Sequence, residues 1–459
     1  MSGSLAVLLG YVALQLLIGV WVSRRVRTEQ DYLLAGRSLG PVLVTASIFA
    51  TWFGAETCVG AAGEVFENGL GAVSSDPYGY GLCLVLMGLF VARPLWQRNV
   101  TTLADLFKTR YSPAVERLVA ILIIPSSLLW AAAQIRAFGG VLASAGALEV
   151  ETGMALAIAV VVTYTTFGGL MADAYSDVVQ GFVLTTCLCL LGGVVLFHAP
   201  GLPELNAASA SAARAPRELL PTLNDWAVPM LGSLFAQELL MRVSGARSAT
   251  LARNATFAAA AIYMLVGTIP VALGLFGRSI LPELDHGDQV LPALARHYLG
   301  EPGFLIFAGA LVAAILSTVD SALLACGSLV AHNLLPERVR NRSARAPLIT
   351  ARVSVVALSF VAYALAHTKG SVHELVEEAS SFGSAGVFVI GSIGLAAPRF
   401  GGAYSALAAL IAGAGSWLYF GHVQESEIAY LCSLLSAAGS YVAVWLFERR
   451  LVPERAVSP

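Results

Sequence analysis

Apolar runs of about twenty residues recur along the whole chain, parted by short polar or glycine-containing connections. About thirteen can be marked, at 4–23, 41–66, 76–97, 116–145, 152–170, 174–198, 223–244, 250–278, 302–333, 347–367, 373–397, 401–421 and 426–447. As a helix, each is long enough to cross about 30 Å of hydrocarbon. An open strand edge would leave backbone groups unpaired in lipid, so helices are the expected form. The pattern predicts an all-α integral membrane protein with about 13 transmembrane helices.

Composition strengthens this picture. Hydrophobic residues make up 57% of the chain and charged residues 12%, against about 25% charged in soluble domains. The net charge of −2 supplies no basic surface and argues against a nucleic-acid partner. The six cysteines lie inside apolar runs without metal-ligand spacing, so neither zinc nor a disulfide framework is expected. The first apolar run is followed, not preceded, by Arg24, Arg25 and Arg27, which reads as a retained helix rather than a signal peptide.

Alternate connections are rich in arginine: Arg24 to Arg37, Arg93 to Arg110, Arg247 and Arg253, Arg338 to Arg345, and Arg449 to Arg455. The intervening connections are poor in base. The asymmetry predicts an N-terminus outside and a C-terminus inside. The whole of 1–459 reads as a single membrane domain with no soluble output domain.

Several spans carry polar residues where lipid should forbid them, two of them at mid-span. The second holds Thr51, Gly54, Glu56, Thr57 and Gly60 at its middle. Glycine and hydroxyl residues weaken a helix there, and an unwound turn would free carbonyls able to hold Na+. Small residues also serve close helix packing, but a mid-membrane carboxylate such as Glu56 needs a partner or a ligand. The ninth span holds Ser317, Asp320 and Ser321 on one helix face, with Thr318 beside them. Their oxygens are the hard ligands an alkali cation needs; interhelical hydrogen bonding is the plainer alternative. Asp177 lies about one turn inside the sixth span. Gln237, Glu238 and Arg242 occupy the seventh. The fourth carries Trp130 and Gln134 on one face, and Arg136, which must pair with Glu56, Glu238 or a substrate carboxylate.

Three stretches carry a resemblance: Asp31-Tyr-Leu-Leu-Ala-Gly-Arg-Ser-Leu-Gly40, Gly169-Leu-Met-Ala-Asp-Ala-Tyr-Ser-Asp-Val-Val-Gln180 and Ala314-Ile-Leu-Ser-Thr-Val-Asp-Ser-Ala-Leu323. Together they resemble the sodium/solute symporter family over nearly the whole length. The resemblance implies a leucine-transporter-like fold: a five-plus-five inverted-repeat core at 41–397, an extra N-terminal helix in 1–40 and peripheral helices in 398–459. It implies a principal Na+ site at Ala50, Phe53, Ala314, Ser317 and Thr318, and a possible second cation site at Asp177, Ser317, Asp320 and Ser321. Where other members have Ser, this chain has Asp320, which admits a second cation or a proton. Within the family, Ala50-Thr-Trp-Phe-Gly54, Pro77-Tyr-Gly-Tyr80 and Trp130-Ala-Ala-Ala133 look like the choline-transporting branch and its bacterial relatives. Trp52, Tyr80 and Trp130 match positions of an aromatic cage for quaternary ammonium. Ala236 replaces a further cage Trp, and Glu56 and Gln134 stand where apolar or small residues are usual.

The substrate is then expected near the midplane, among Trp52, Glu56, Thr57, Asp76, Tyr80, Trp130, Gln134 and Gln237. Carboxylate, amide and aromatic groups suit a small amine or zwitterion first, a carboxylate second and a sugar third. The expected function is sodium-coupled symport of a small organic solute by alternating access, with one or two Na+ as coupling ions and no organic cofactor. The lipid bilayer, most simply a bacterial inner membrane, is the other partner, and the chain is expected to be a monomer or weak homo-oligomer. Proton coupling on the same fold and a transporter-like membrane sensor are the competing readings. No nucleophile motif or His–carboxylate cluster points to an enzyme.

Overall fold

The computed structural model describes residues 26–70, 74–146, 148–198, 218–284, 286–340, 342–343, 345–367, 372–397 and 399–451, with isolated positions before 26. Apart from those positions, the first expected span, 4–23, lies outside the described residues. The regular elements described are helical, with one isolated bridge between Leu39 and Ala246. In chain order the principal helices are α1 (Pro41–Trp52), α2 (Ala61–Asn68), α3 (Tyr80–Leu86), α4 (Pro113–Ser144), α5 (Val150–His198), α6 (Gln237–Gly245), α7 (Ala249–Ile280), α8 (Val290–Leu329), α9 (Ala346–Ala366), α10 (Val372–Ser381), α11 (Ser384–Ala396), α12 (Ala403–Leu418) and α13 (Ala429–Leu451).

Local chemistry sets their starts. Pro41 opens α1, where the missing N–H costs nothing. The Ser112 hydroxyl caps the amide of Val115 at α4, and that of Ser248 caps Leu251 at α7.

Among the described residues, eight helices are long and apolar enough to cross a membrane, or up to ten if each of two bent pairs is one span. The expected thirteen is a higher count. The expected spans 152–170 and 174–198 stay distinct: α5 is two helices meeting at a kink at Gly169, whose φ is 60°, and of the two Gly168–His198 is long and apolar enough to count as a span while Val150–Thr163 is shorter. The expected span 223–244 is not one helix: Leu219–Ala227 passes through a π turn at Val228–Gly232 and breaks before α6.

In the longest candidate span, Gly287–Leu334, 78% of an apolar 18-residue stretch is buried, against 22% of the corresponding stretch in Ala429–Arg449. α8 within the first is therefore the central post, packed against α4 and α5, and α13 lies at the edge, packed on α12. The bent pairs are α1 with the helical stretch Glu56–Asn68, at 52°, and α10 with α11, at 44°.

Candidate functional site

The break in the second span is a specific loss of backbone pairing. The Phe53 amide still bonds to Phe49 O at 2.8 Å, but its backbone leaves the helix at φ −92°, ψ 63°. The Ala55 amide turns instead to Gln134 Oε1, at 2.8 Å. Helical bonding resumes with the Cys58 amide on Gly54 O at 3.3 Å, followed by a π turn over Glu56–Gly60. Among the described residues no backbone amide closes onto the carbonyl of Ala50 or Phe53. Buried carbonyls left open in this way are candidate ligands.

α8 meets this break. Thr318 Oγ1 lies 3.5 Å from Thr51 O and 3.3 Å from its own helix carbonyl at Ala314. The neighbouring Ser317 hydroxyl donates to Asp177 Oδ1 on α5, and the Ser47 hydroxyl donates to Asp177 Oδ2 at 2.6 Å. Gly54 makes the convergence possible: a Cβ there would stand 2.7 Å from both Glu56 Oε2 and Thr318 Oγ1 and 2.9 Å from Gln134 Oε1. Neutral carbonyl and hydroxyl oxygens are the donor type that suits Na+, a hard cation.

Beside the break opens a cavity of about 1070 Å³. Glu56, Asp76 and Tyr80 line it, and it reaches Glu67, Asn68, Val150, His286 and Gln289, beside the base-poor connections. Eight carboxylates line it, with Arg136, His286 and His373 as its basic residues. Gln134 Nε2 donates to Glu56 Oε2 at 2.5 Å, while Glu56 Oε1 is buried with no hydrogen-bond partner among the described residues. Asp76 accepts from the Tyr263 hydroxyl at 2.8 Å and from the Thr57 hydroxyl at 2.9 Å. The Tyr80 hydroxyl pairs with that of Ser380 at 2.7 Å.

A second buried network lies towards the base-rich side. The Arg242 guanidinium donates to Asp173 Oδ2 and Ser321 Oγ, and to Glu238 O at 3.1 Å. Both charged side chains of the Arg242–Asp173 pair are wholly buried.

With this geometry in view, comparison with known proteins decides the class. The sequence pattern of the Sodium:solute symporter family matches residues 32–413. The chain belongs to that family. Among this symporter's relatives is the human high affinity choline transporter 1, 26% identical over 404 residues, covering 82% of this chain and 69% of the human one. The sodium/proline symporter of Escherichia coli is 26% identical over 451 residues, covering 91% and 88%. A solved sodium-coupled sialic acid symporter in a substrate-bound outward-open state superposes with a TM-score of 0.81 at 16% identity, covering 97% and 98% of the two chains. A nucleobase-cation-symport-1 family transporter superposes at 0.65 with 15% identity, covering 92% and 95%. These likenesses in shape establish a leucine-transporter-like, all-helical membrane fold.

The symporter's structure separates the expected substrate residues. Glu56, Asp76 and Tyr80 line the main cavity, and Gln134 and Thr57 hold the two carboxylates from behind. Gln237 lies elsewhere: its Oε1 accepts the Leu103 amide at 2.7 Å and its Nε2 donates to Ser328 at 3.1 Å. The seventh span turns at its break, which points Gln237 away from the cavity. Trp52 and Trp130 meet edge to face at 5.3 Å, and Tyr80 lies 6.4 Å from Trp130. All three are buried, and of them Tyr80 lines the main cavity. Arg136 is half-buried in the cavity wall rather than buried in the span. Of the second cation set, Asp177 and Ser317 touch, but Ser321 is held by Arg242. Sequence pattern does not single out Tyr263, Ser47 or Asp173 as members of these networks. Only Asp173 carries a signal that could have found it, four residues before Asp177 on one helix face.

Proposed function

We propose that the chain is a sodium-coupled secondary active symporter that imports a small organic amine or zwitterion by alternating access. The observation that carries the reading is the approach of Thr318 Oγ1 to Thr51 O at the broken helix. It supports a sodium site made of the Ala50, Phe53 and Ala314 carbonyls with the Ser317 and Thr318 hydroxyls. A cation between α1 and α8 ties together elements that must separate when the cavity changes sides. Its binding therefore favours the conformer whose cavity is open to the base-poor face, which is the outside in the expected topology. Each positive charge entering down 100 mV adds about 2.3 kcal/mol to the driving force.

The preference for an amine rests on the cavity's charge. An excess of carboxylates raises the local concentration of cations and repels anions. The unpaired Glu56 Oε1 beside it is a ready acceptor for an ammonium N–H. Arg136 in the same wall supports a zwitterion, whose carboxylate it would receive.

A thermal-shift screen of amines, amino acids and organic acids, with and without sodium, identifies the solute. Purified protein in proteoliposomes is then given a sodium gradient at fixed pH. Accumulation of the solute above equilibrium supports the proposal. Accumulation driven by a proton gradient and indifferent to sodium rejects it.

A further inference from the structure

We infer that the Arg242 guanidinium occupies the place of a second coupling cation, so that the chain carries a single sodium site. The inference rests on the sodium-coupled reading above and narrows it to one ion. The oxygens suggested for a second ion come from Asp177, Ser317, Asp320 and Ser321. In the structure the Arg242 guanidinium already donates to Ser321 Oγ, and the same group donates to Asp173 Oδ2. Ser321 Oγ also lies 2.7 Å from Ser317 O, to which it can donate, and 3.2 Å from Asp173 Oδ2, so its hydroxyl belongs to the arginine's network. Asp177 is held by Ser47 and Ser317, on the side of the broken helix.

Charge explains the division. A wholly buried guanidinium must be neutralised, and Asp173 does this directly. Asp177, touching Ser317, is left to balance one sodium ion at the broken helix. A second free cation at Ser321 would face the guanidinium across a single hydroxyl, in a low-dielectric interior that strengthens their repulsion. Asp320, whose Oδ1 is buried without a hydrogen-bond partner among the described residues, is within electrostatic reach of Arg242, so the tethered positive charge acts on it as well. An arginine is suited to that place because it never loses its charge and cannot leave with the transported ions.

The test is direct binding of radioactive sodium alone to the purified full-length chain at alkaline pH. The unsubstituted protein should bind one ion per chain, and Arg242→Lys should also bind one. Arg242→Gln, with the tethered charge gone and the carboxylates left, should bind two. Ser321→Ala removes a hydroxyl that is not a sodium ligand on this account, so it should leave sodium affinity unchanged within about twofold. That variant decides the matter should Arg242→Gln fail to fold. Two ions in the unsubstituted chain, one ion in folded Arg242→Gln, or a loss of about tenfold in sodium affinity in Ser321→Ala would each overturn the inference. No saturable sodium binding in the unsubstituted chain overturns the sodium reading itself, and this refinement with it.

Discussion

The hydroxyl of Thr318 stands 3.5 Å from the carbonyl of Thr51, across 267 residues of sequence. Neither group needs the other for helix pairing, because Thr318 can satisfy itself on Ala314 O. Their meeting gives the bilayer interior a set of oxygens without a protein cation among them. Thr318→Ala should therefore raise the sodium concentration for half-maximal uptake by about tenfold, the loss of one hydrogen-bond-strength ligand. The double change with Ser317→Ala should abolish sodium dependence. Uptake titrated against sodium at constant ionic strength reads both, and an unchanged half-maximal concentration in the double variant would remove this site from consideration.

Glu56 offers the second prediction. Its Oε2 is satisfied by Gln134 and its Oε1 is not satisfied by the protein. Glu56→Gln keeps the shape and removes the charge. Binding of a cationic solute should weaken by about tenfold to a hundredfold, the range of a charged hydrogen bond, while a neutral analogue should bind about as before. Calorimetric titration of the two ligands against both proteins makes the comparison. Equal losses for the charged and neutral ligands would show that the carboxylate supports the fold of the site rather than reading charge.

Much of this architecture is legible in the order of residues alone. Runs of apolar residues reveal the membrane helices, because only a helix satisfies its own backbone in lipid. Glycine and a carboxylate in mid-span reveal the break at Gly54, since both are costly there without a use. What stays hidden depends on direction. Gln237 follows the turn at Ser233–Ala236, and nothing in local sequence says that this turn aims its amide at Leu103 rather than into the cavity. Ser321 and Asp320 lie on the face that suits a cation, yet the partner that claims Ser321 comes from a helix distant in sequence. The aromatic positions match a cage by type, while their mutual packing at 5.3 Å is a property of the assembled bundle.

Gly54 is the position where a minimal change should do most. An added methyl group would meet Glu56 Oε2 and Thr318 Oγ1 at 2.7 Å and Gln134 Oε1 at 2.9 Å, all closer than carbon and oxygen can settle. These are side-chain ends belonging to both proposed sites, so they must move apart. Gly54→Ala should thus weaken sodium and solute binding together while the protein still inserts and purifies as a folded species. Separate sodium and solute titrations of the variant check this. Loss of one affinity with the other intact would mean that the two sites do not share this junction.

The base-rich side carries a polar cluster that makes the last prediction. His332 bridges Glu29 at 3.1 Å and Asp105 at 3.3 Å, and Asn333 donates to Asp105 at 3.0 Å and to Glu116 at 2.9 Å. The Asp105 carboxyl also accepts the Thr101 and Thr102 amides, each at 3.1 Å. Burial alone would raise its pKa, but the hydrogen bond and charge of His332 and the two amides outweigh burial and hold it below the ordinary value. A carboxyl depressed on folding contributes stability that is fully present above its unfolded pKa, about 3.9 for Asp. That stability is lost as the pH falls through the lower, folded value. At neutral pH, Asp105→Asn should lower the apparent unfolding temperature, through a loss of about 1–2 kcal/mol. The gap between the two proteins should begin to narrow below about pH 4 and close only once the pH has passed below the lower, folded value, where the native carboxyl is also protonated. Thermal unfolding of both proteins in detergent across that range is the measurement, and a gap that persists undiminished in acid would show that the charge of Asp105 is not what ties these helices together.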